Sequence, residues 1–221
     1  MNELLFFSQI IVLCVFLLMS LRLGKTCLFI FTSIQPLFCN LFVFKQITLF
    51  NMSVSAAEAY AVTGILGMNL LREYFGRKEA MKAIYFSFLN LFLFTVMTQF
   101  QLKFVPNPSD WGHDSYCQLF CTTPRIVLCS FVSFFLSERL DLAIFSFLKD
   151  RFTFGNVTFR YVTSTCISQI FDTAFITFFG FYGVLDNLVQ LMIFSYMVKV
   201  LVIFSSSIFA QVSKFFAPKH E

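Results

Sequence analysis

Arg125, Asp141, Asp172 and Lys199 are ionisable side chains set within segments that otherwise belong in hydrocarbon. A charge at the centre of a helix in lipid is unfavourable by about 2.5 to 3.5 kcal/mol on insertion scales, so each implies a partner or a task. Asp172 ends a polar stripe in which Thr165, Ser168 and Asp172 recur at the spacing of one helix face, with Gln169 beside them. It falls about 14 residues, or ~21 Å, into its span, and Lys199 falls about 11 residues, or ~17 Å, into the next. Both depths are near the bilayer midplane, and pairing the two is the simplest way to keep both charged.

The Asp172 stripe faces a second on the Lys199 helix, and the preceding segment adds a third. Ser195, Tyr196 and Ser206 share helical spacing with Lys199, while Ser130, Ser133, Ser137 and Asp141 mark one face of the preceding segment, with Glu138 and Arg139 alongside. Arg125 opens that segment, where a planar guanidinium can recognise an anion or hydrogen-bond the edge of a heterocycle. Asn40 and Asn69 add neutral amides that donate and accept together. The hydroxyls alone read as glue between helices, worth about 0.6 kcal/mol each. Glu73, Arg77, Lys149 and Arg160 lie near helix ends, where long side chains reach the headgroups by snorkelling.

The elements that position these groups follow from composition. Of 221 residues, 58% are hydrophobic, 19% aromatic and 13% charged, with 35 Phe, where soluble domains carry about a quarter charged residues. The chain reads as an all-α integral membrane protein. Its apolar segments, each near the ~20 residues that cross a bilayer, predict spans at residues 4–23, 27–44, 52–74, 80–104, 122–148, 158–183 and 188–215. Residues 4–23 carry Glu3 in place of a basic leader, with Arg22 and Lys25 after the apolar run, which reads as a membrane anchor. Residues 52–74 form the least hydrophobic span, with Ala57, Ala61 and Gly64 at close-packing intervals. Residues 105–118, with Pro106, Pro108, Asp110 and Gly112, form the longest loop.

Charge distribution tests this count. Arg22, Lys25, Arg72, Arg77, Lys78, Lys82, Lys149, Arg151, Arg160, Lys214 and Lys219 fall on one side, against Lys45 and Lys103 on the other. The positive-inside rule then puts the N-terminus out and the C-terminus in. The length suits one membrane domain over residues 1–221, and the chain holds no nucleotide-binding P-loop motif. Most of the seven cysteines lie in apolar segments and behave as small hydrophobes. Their odd number argues against a disulfide framework, and His113 and Asp114 near Cys117 and Cys121 are too few for a metal site. No metal, cofactor or nucleic-acid partner is expected; the partners are lipid and a small solute.

Three co-linear stretches carry a resemblance. Asn69-Leu-Leu-Arg-Glu73-Tyr-Phe-Gly76-Arg77-Lys78 resembles the pattern D-x-x-T-E-x-Y-G-x-K. Thr123-Pro-Arg125-Ile, followed by Ser137-Glu138-Arg-Leu-Asp141, resembles R-I and then Q-x-x-D. Ser168-Gln169-Ile-Phe-Asp172-Thr173, with Phe181-Tyr182-Gly183 and Tyr196-Met-Val-Lys199, resembles S-Q-x-x-D-T, F-Y-G and Y-x-x-K. The chain is similar in these to the queuosine precursor transporter family, the YhhQ or VUT group. Asn69 stands where that family usually has Asp, Arg72 where it often has Thr, Phe75 where it often has Tyr, and Glu138 where it often has Gln.

The resemblance implies a six-helix core over residues 27–215, with residues 4–23 as an added N-terminal helix. It also implies inward transport, across a bacterial inner membrane, of queuine and related 7-deazaguanines for tRNA queuosine salvage. On that reading Asp172 and Gln169 bind the guanine-like edge, Asn40 and Asn69 add contacts, and Arg125 guards the outer entrance. Asp141, Ser168 and Lys199 complete the site. The alternative is a substrate-capturing subunit of a multi-component vitamin-type importer, docked through Ala57-x-x-x-Ala61. An intramembrane enzyme using Asp141 and Asp172 as a carboxylate pair lacks a nucleophile or metal-ligand set in the spans. Homo-oligomerisation and an energising module are not specified by the sequence.

Overall fold

A computed structural model describes residues 1–42, 45–50, 52–120, 124–151, 157–180, 182 and 188–216; the Arg125 and Ser130 side chains lie outside the described residues. The elements are α1 (Asn2–Arg22), α2 (Lys25–Phe42), β1 (Gln46–Leu49), β2 (Met52–Ser55), α3 (Glu58–Phe75), α4 (Arg77–Lys103), α5 (His113–Phe120), α6 (Pro124–Arg151), α7 (Val157–Phe175) and α8 (Leu188–Phe216). A π-helical turn, Ile176–Gly180, continues α7.

Among the described residues, five segments are long and apolar enough to cross a membrane: α1, α2, α4, α7 with its π turn, and Ser195–Phe216 of α8. Their outward faces carry Phe16, Ile30, Phe92, Phe100 and Phe204, all exposed. Such faces favour acyl chains over water. The lower apolarity of α3 has a different cause. It touches α1, α2, α4, α6, α7 and α8, and Val62 through Arg72 are all buried. A helix enclosed by other helices faces protein, so its polar residues meet partners in place of lipid.

Contacts at the helix ends fix an up-and-down arrangement. At one end Lys25 lies 3.8 Å from Glu79, Arg160 donates to Glu73 at 3.0 Å, and Lys149 pairs with Glu73 at 3.2 Å. The Tyr74 and Ser213 hydroxyls meet there at 3.0 Å. This gathers the α1–α2 and α3–α4 turns with the ends of α6, α7 and α8. Glu73, Lys149 and Arg160 therefore form an ion cluster between helices where sequence reasoning expected snorkelling. Gly76, at φ 88°, makes the sharp turn between α3 and α4.

At the other end the Asn2 amide donates to the Thr48 carbonyl at 3.2 Å and the Phe50 N–H donates to Glu3 at 3.3 Å. These bonds seat a hairpin of β1 and β2, with Gln46 opposite Ser55 and Leu49 opposite Met52. The sequence reading placed a span from residue 52. Alternation of polar and apolar residues through Gln46–Leu49 and Met52–Ser55 instead suits paired strands, and α3 starts at Glu58. The predicted loop at residues 105–118 likewise contains the start of α5.

Candidate functional site

Close approach of α2 and α3 builds one wall of the site. A Cβ on Gly64 would lie 3.1 Å from the Gln35 Cβ, and one on Gly67 would lie 2.5 Å from the Thr32 Oγ1. Only hydrogen at these positions lets the backbones meet this closely. Gly64 was expected to serve close packing; Gly67 was not singled out. The π turn shapes the opposite wall, where Thr173, Ile176 and Thr177 follow Asp172. Such turns widen a helix locally and recur at functional sites.

Between these walls lies a cavity of about 350 Å³, within the range of small-molecule sites. Gln35, Asn40, Glu58, Ser137, Glu138, Gln169, Asp172 and Lys199 supply polar lining, Tyr60 and Phe134 aromatic lining, and Gln46, Val54 and Ser55 of the hairpin meet its edge. Non-helical backbone lining a cavity is compatible with membrane depth because protein groups satisfy it.

One charged cluster crosses the cavity. Lys199 Nζ donates to Asp172 Oδ2 at 2.6 Å and lies 3.8 Å from Glu58 Oε2. Ser133 and Ser137 donate to Asp172 Oδ1 at 2.7 and 3.3 Å, and Ser195 donates to Glu58 Oε1 at 3.2 Å. The expected pairing of Asp172 with Lys199 is thus present. Glu58 is the member sequence reasoning missed. Its signal was a single acid inside an otherwise charge-free stretch, residues 46–71.

A second cluster lies beside the cavity without lining it. The Asn69 amide donates to Asp141 Oδ2 at 2.8 Å, and Ser168 Oγ donates to Asp141 Oδ1 at 3.3 Å. Asn69, Asp141 and Ser168 are buried, so they brace α3, α6 and α7 behind Gln169. Asp141 and Asp172 therefore belong to separate networks. Asn40 lines the cavity while its amide donates to the Pro36 carbonyl at 3.0 Å. Ala57 and Ala61 also line the cavity, which removes them from the outward docking face that the importer-subunit reading required. The Arg125 side chain, expected at the outer entrance, lies outside the described residues.

A helix bundle with lipid-suited outer faces and a solute-sized cavity, mostly apolar with polar side chains set in its wall, is a multi-pass membrane protein built around a small-molecule site. The chain belongs to the family described as "Putative vitamin uptake transporter", whose profile matches residues 55–212. It is also 30% identical, over 100% of its own length and 97% of the relative's, to a Bacillus subtilis (strain 168) protein named "Probable queuosine precursor transporter". No solved structure matches it. As a member of a transporter family the chain binds a small-molecule substrate, and the cavity is where the described residues can hold one.

Proposed function

We propose that this chain carries queuosine precursors, queuine and related 7-deazaguanine bases, inward across a bacterial inner membrane for tRNA queuosine salvage. The observation that carries this reading is the cavity itself: a planar, donor-rich base suits a space of about 350 Å³ walled by Tyr60 and Phe134 and edged by carboxylates and amides. The whole-length likeness to the Bacillus subtilis protein supports the choice of solute.

In this reading Asn40, Gln169, Asp172 and Lys199 contact or frame the base. Asn69, Asp141 and Ser168 hold the helices that present them, and Arg125 acts at the outer entrance. Transport is read as the whole activity, with no catalytic step. Residues 4–23 are read as a helix added to a six-helix core at 27–215, with the N-terminus out and the C-terminus in. A C-terminal green fluorescent protein fusion should fluoresce and a C-terminal alkaline phosphatase fusion stay inactive; the opposite pair of results would reverse the orientation.

Uptake of labelled queuine or 7-cyano-7-deazaguanine into a salvage-deficient bacterium tests the function directly. Cells expressing the chain should accumulate label in their tRNA, and cells without it should not. Equal accumulation in both would sink the assignment. Uptake by the chain alone, in liposomes without other proteins, separates a self-sufficient carrier from the capturing subunit of a larger importer.

A further inference from the structure

We propose that Glu138 reads the donor edge of the solute, flanked by the Gln35 and Gln169 amides, so that the cavity selects a base with a ring N–H beside an exocyclic amine. This rests on the reading of the chain as a carrier of 7-deazaguanine bases, and it moves the reading carboxylate from Asp172 to Glu138.

The argument is a census of acceptors around one cavity. A carboxylate offers about four acceptor positions. Three at Asp172 are occupied by Ser133, Ser137 and Lys199. Glu58 accepts from Ser195 and shares Lys199. Asp141 is held by Asn69 and Ser168 and does not reach the cavity wall. Glu138 differs from all of these. It is 2% exposed, it lines the cavity, and its Oε2 has no hydrogen-bond partner among the described residues.

The basic residue next to Glu138 does not neutralise it. Arg139 turns to the opposite side, donating to the Tyr85 hydroxyl with its guanidinium 4.9 Å from the Phe135 ring centroid. Two more orphaned acceptors face the same space: Gln35 Oε1 and Gln169 Oε1, on side chains 1% and 2% exposed. They come from α2 and α7, while Glu138 comes from α6, so residues of three helices that line one cavity carry acceptors without a donor among the described residues. A buried acceptor without a donor is unfavourable, and a ligand that supplies donors removes the penalty.

The chemistry that fits is two in-plane donors at the spacing of a carboxylate's oxygens. A guanine-type ring N–H and its adjacent amine have that spacing, and the amides can bond the flanking edge atoms. Phe134, one helical turn before Glu138, and Tyr60 offer ring faces against which a planar base can lie.

The test is equilibrium binding to the purified full-length chain in lipid nanodiscs, comparing 7-cyano-7-deazaguanine with its analogue lacking the 2-amine. The wild type should prefer the amino compound by about tenfold or more, as expected when a buried acceptor is left unpaired. In Glu138→Gln that ratio should fall to within about threefold of unity, since a single acceptor replaces the carboxylate pair. The ratio is taken within each protein, so loss of folded material does not move it. A wild-type ratio near one, which requires no variant, overturns the proposal, as does a Glu138→Gln ratio equal to the wild type's. A preference for the aminomethyl over the cyano compound that vanishes in Glu138→Gln, with no discrimination at the 2-amine, also overturns it, in favour of an ammonium site. Failure of the wild type to bind any of these bases removes the carrier reading as well; binding without discrimination removes only the role of Glu138.

Discussion

Lys199 Nζ sits 2.6 Å from Asp172 Oδ2, joining α8 to α7 inside the bundle. Both side chains are buried, so each charge depends on the other for the stabilisation that solvent cannot supply. Removing one member of such a pair strands its partner, at about 3 to 5 kcal/mol, whereas removing both replaces the pair with packing. Asp172→Asn and Lys199→Met should each lower the unfolding midpoint of the detergent-purified protein strongly. The double variant should recover part of the loss, since Glu58, 3.8 Å from Lys199, still loses its cation. A double variant as unstable as the sum of the singles would show that the two residues act independently.

Asn69 makes a second such test. Its amide donates to Asp141, which also accepts from Ser168. In Asn69→Leu the buried carboxylate keeps Ser168 and loses its nearer donor, a change of about 1 to 3 kcal/mol. Thermal unfolding should register this loss. Because Asn69 stands behind the cavity wall, the ratio of affinities for two bases should hold within about twofold, a smaller change than loss of a direct hydrogen bond causes. A large change in that ratio would place Asn69 in contact with the solute.

The polar faces of α6, α7 and α8 were legible because period and depth are both written in the chain. Ser133, Ser137 and Asp141 keep helical spacing, and counting residues from the helix ends set Asp172 and Lys199 at matching heights. Partner choice was legible only where opposite charges were few. Glu58 escaped because its partner, Lys199, lies 141 residues further along the chain and was already matched by Asp172. The hairpin escaped because four-residue strands next to a long apolar helix give too short a pattern to separate from the helix. Gln35 escaped because its role depends on the Gly64 contact between α2 and α3, and a pairwise approach of helices leaves no periodic trace.

The ion cluster at the basic end predicts an order of effects. Glu73 accepts from Arg160 at 3.0 Å and pairs with Lys149 at 3.2 Å, and the Arg160 side chain is 7% exposed against 36% for Lys149. Glu73→Ala leaves a nearly buried guanidinium without its carboxylate, a loss of about 2 to 4 kcal/mol. Lys149→Ala removes a more solvated partner, worth about 0 to 1 kcal/mol. Chemical unfolding of the purified variants should rank Glu73→Ala well below Lys149→Ala. Equal effects would mean that Arg160 finds another acceptor when Glu73 is gone.

Gly67 carries the sharpest packing constraint. A Cβ there would lie 2.5 Å from Thr32 Oγ1, 3.0 Å from Thr32 Cγ2 and 3.2 Å from Leu17 Cδ1. Thr32 cannot swing away freely: it is β-branched, and its hydroxyl donates to the Leu28 carbonyl at 2.7 Å. Gly67→Ala must therefore push α2 from α3, with an overpacking penalty of about 1 to 3 kcal/mol. The displacement reaches Gln35, three residues along α2 from Thr32 and in contact with Gly64, so solute affinity should fall together with stability. Thr32→Ala removes both close atoms and should restore most of each in the double variant. If Gly67→Ala alone keeps wild-type stability and affinity, the α2–α3 contact is looser than these distances require, and Gln35 is not positioned by it.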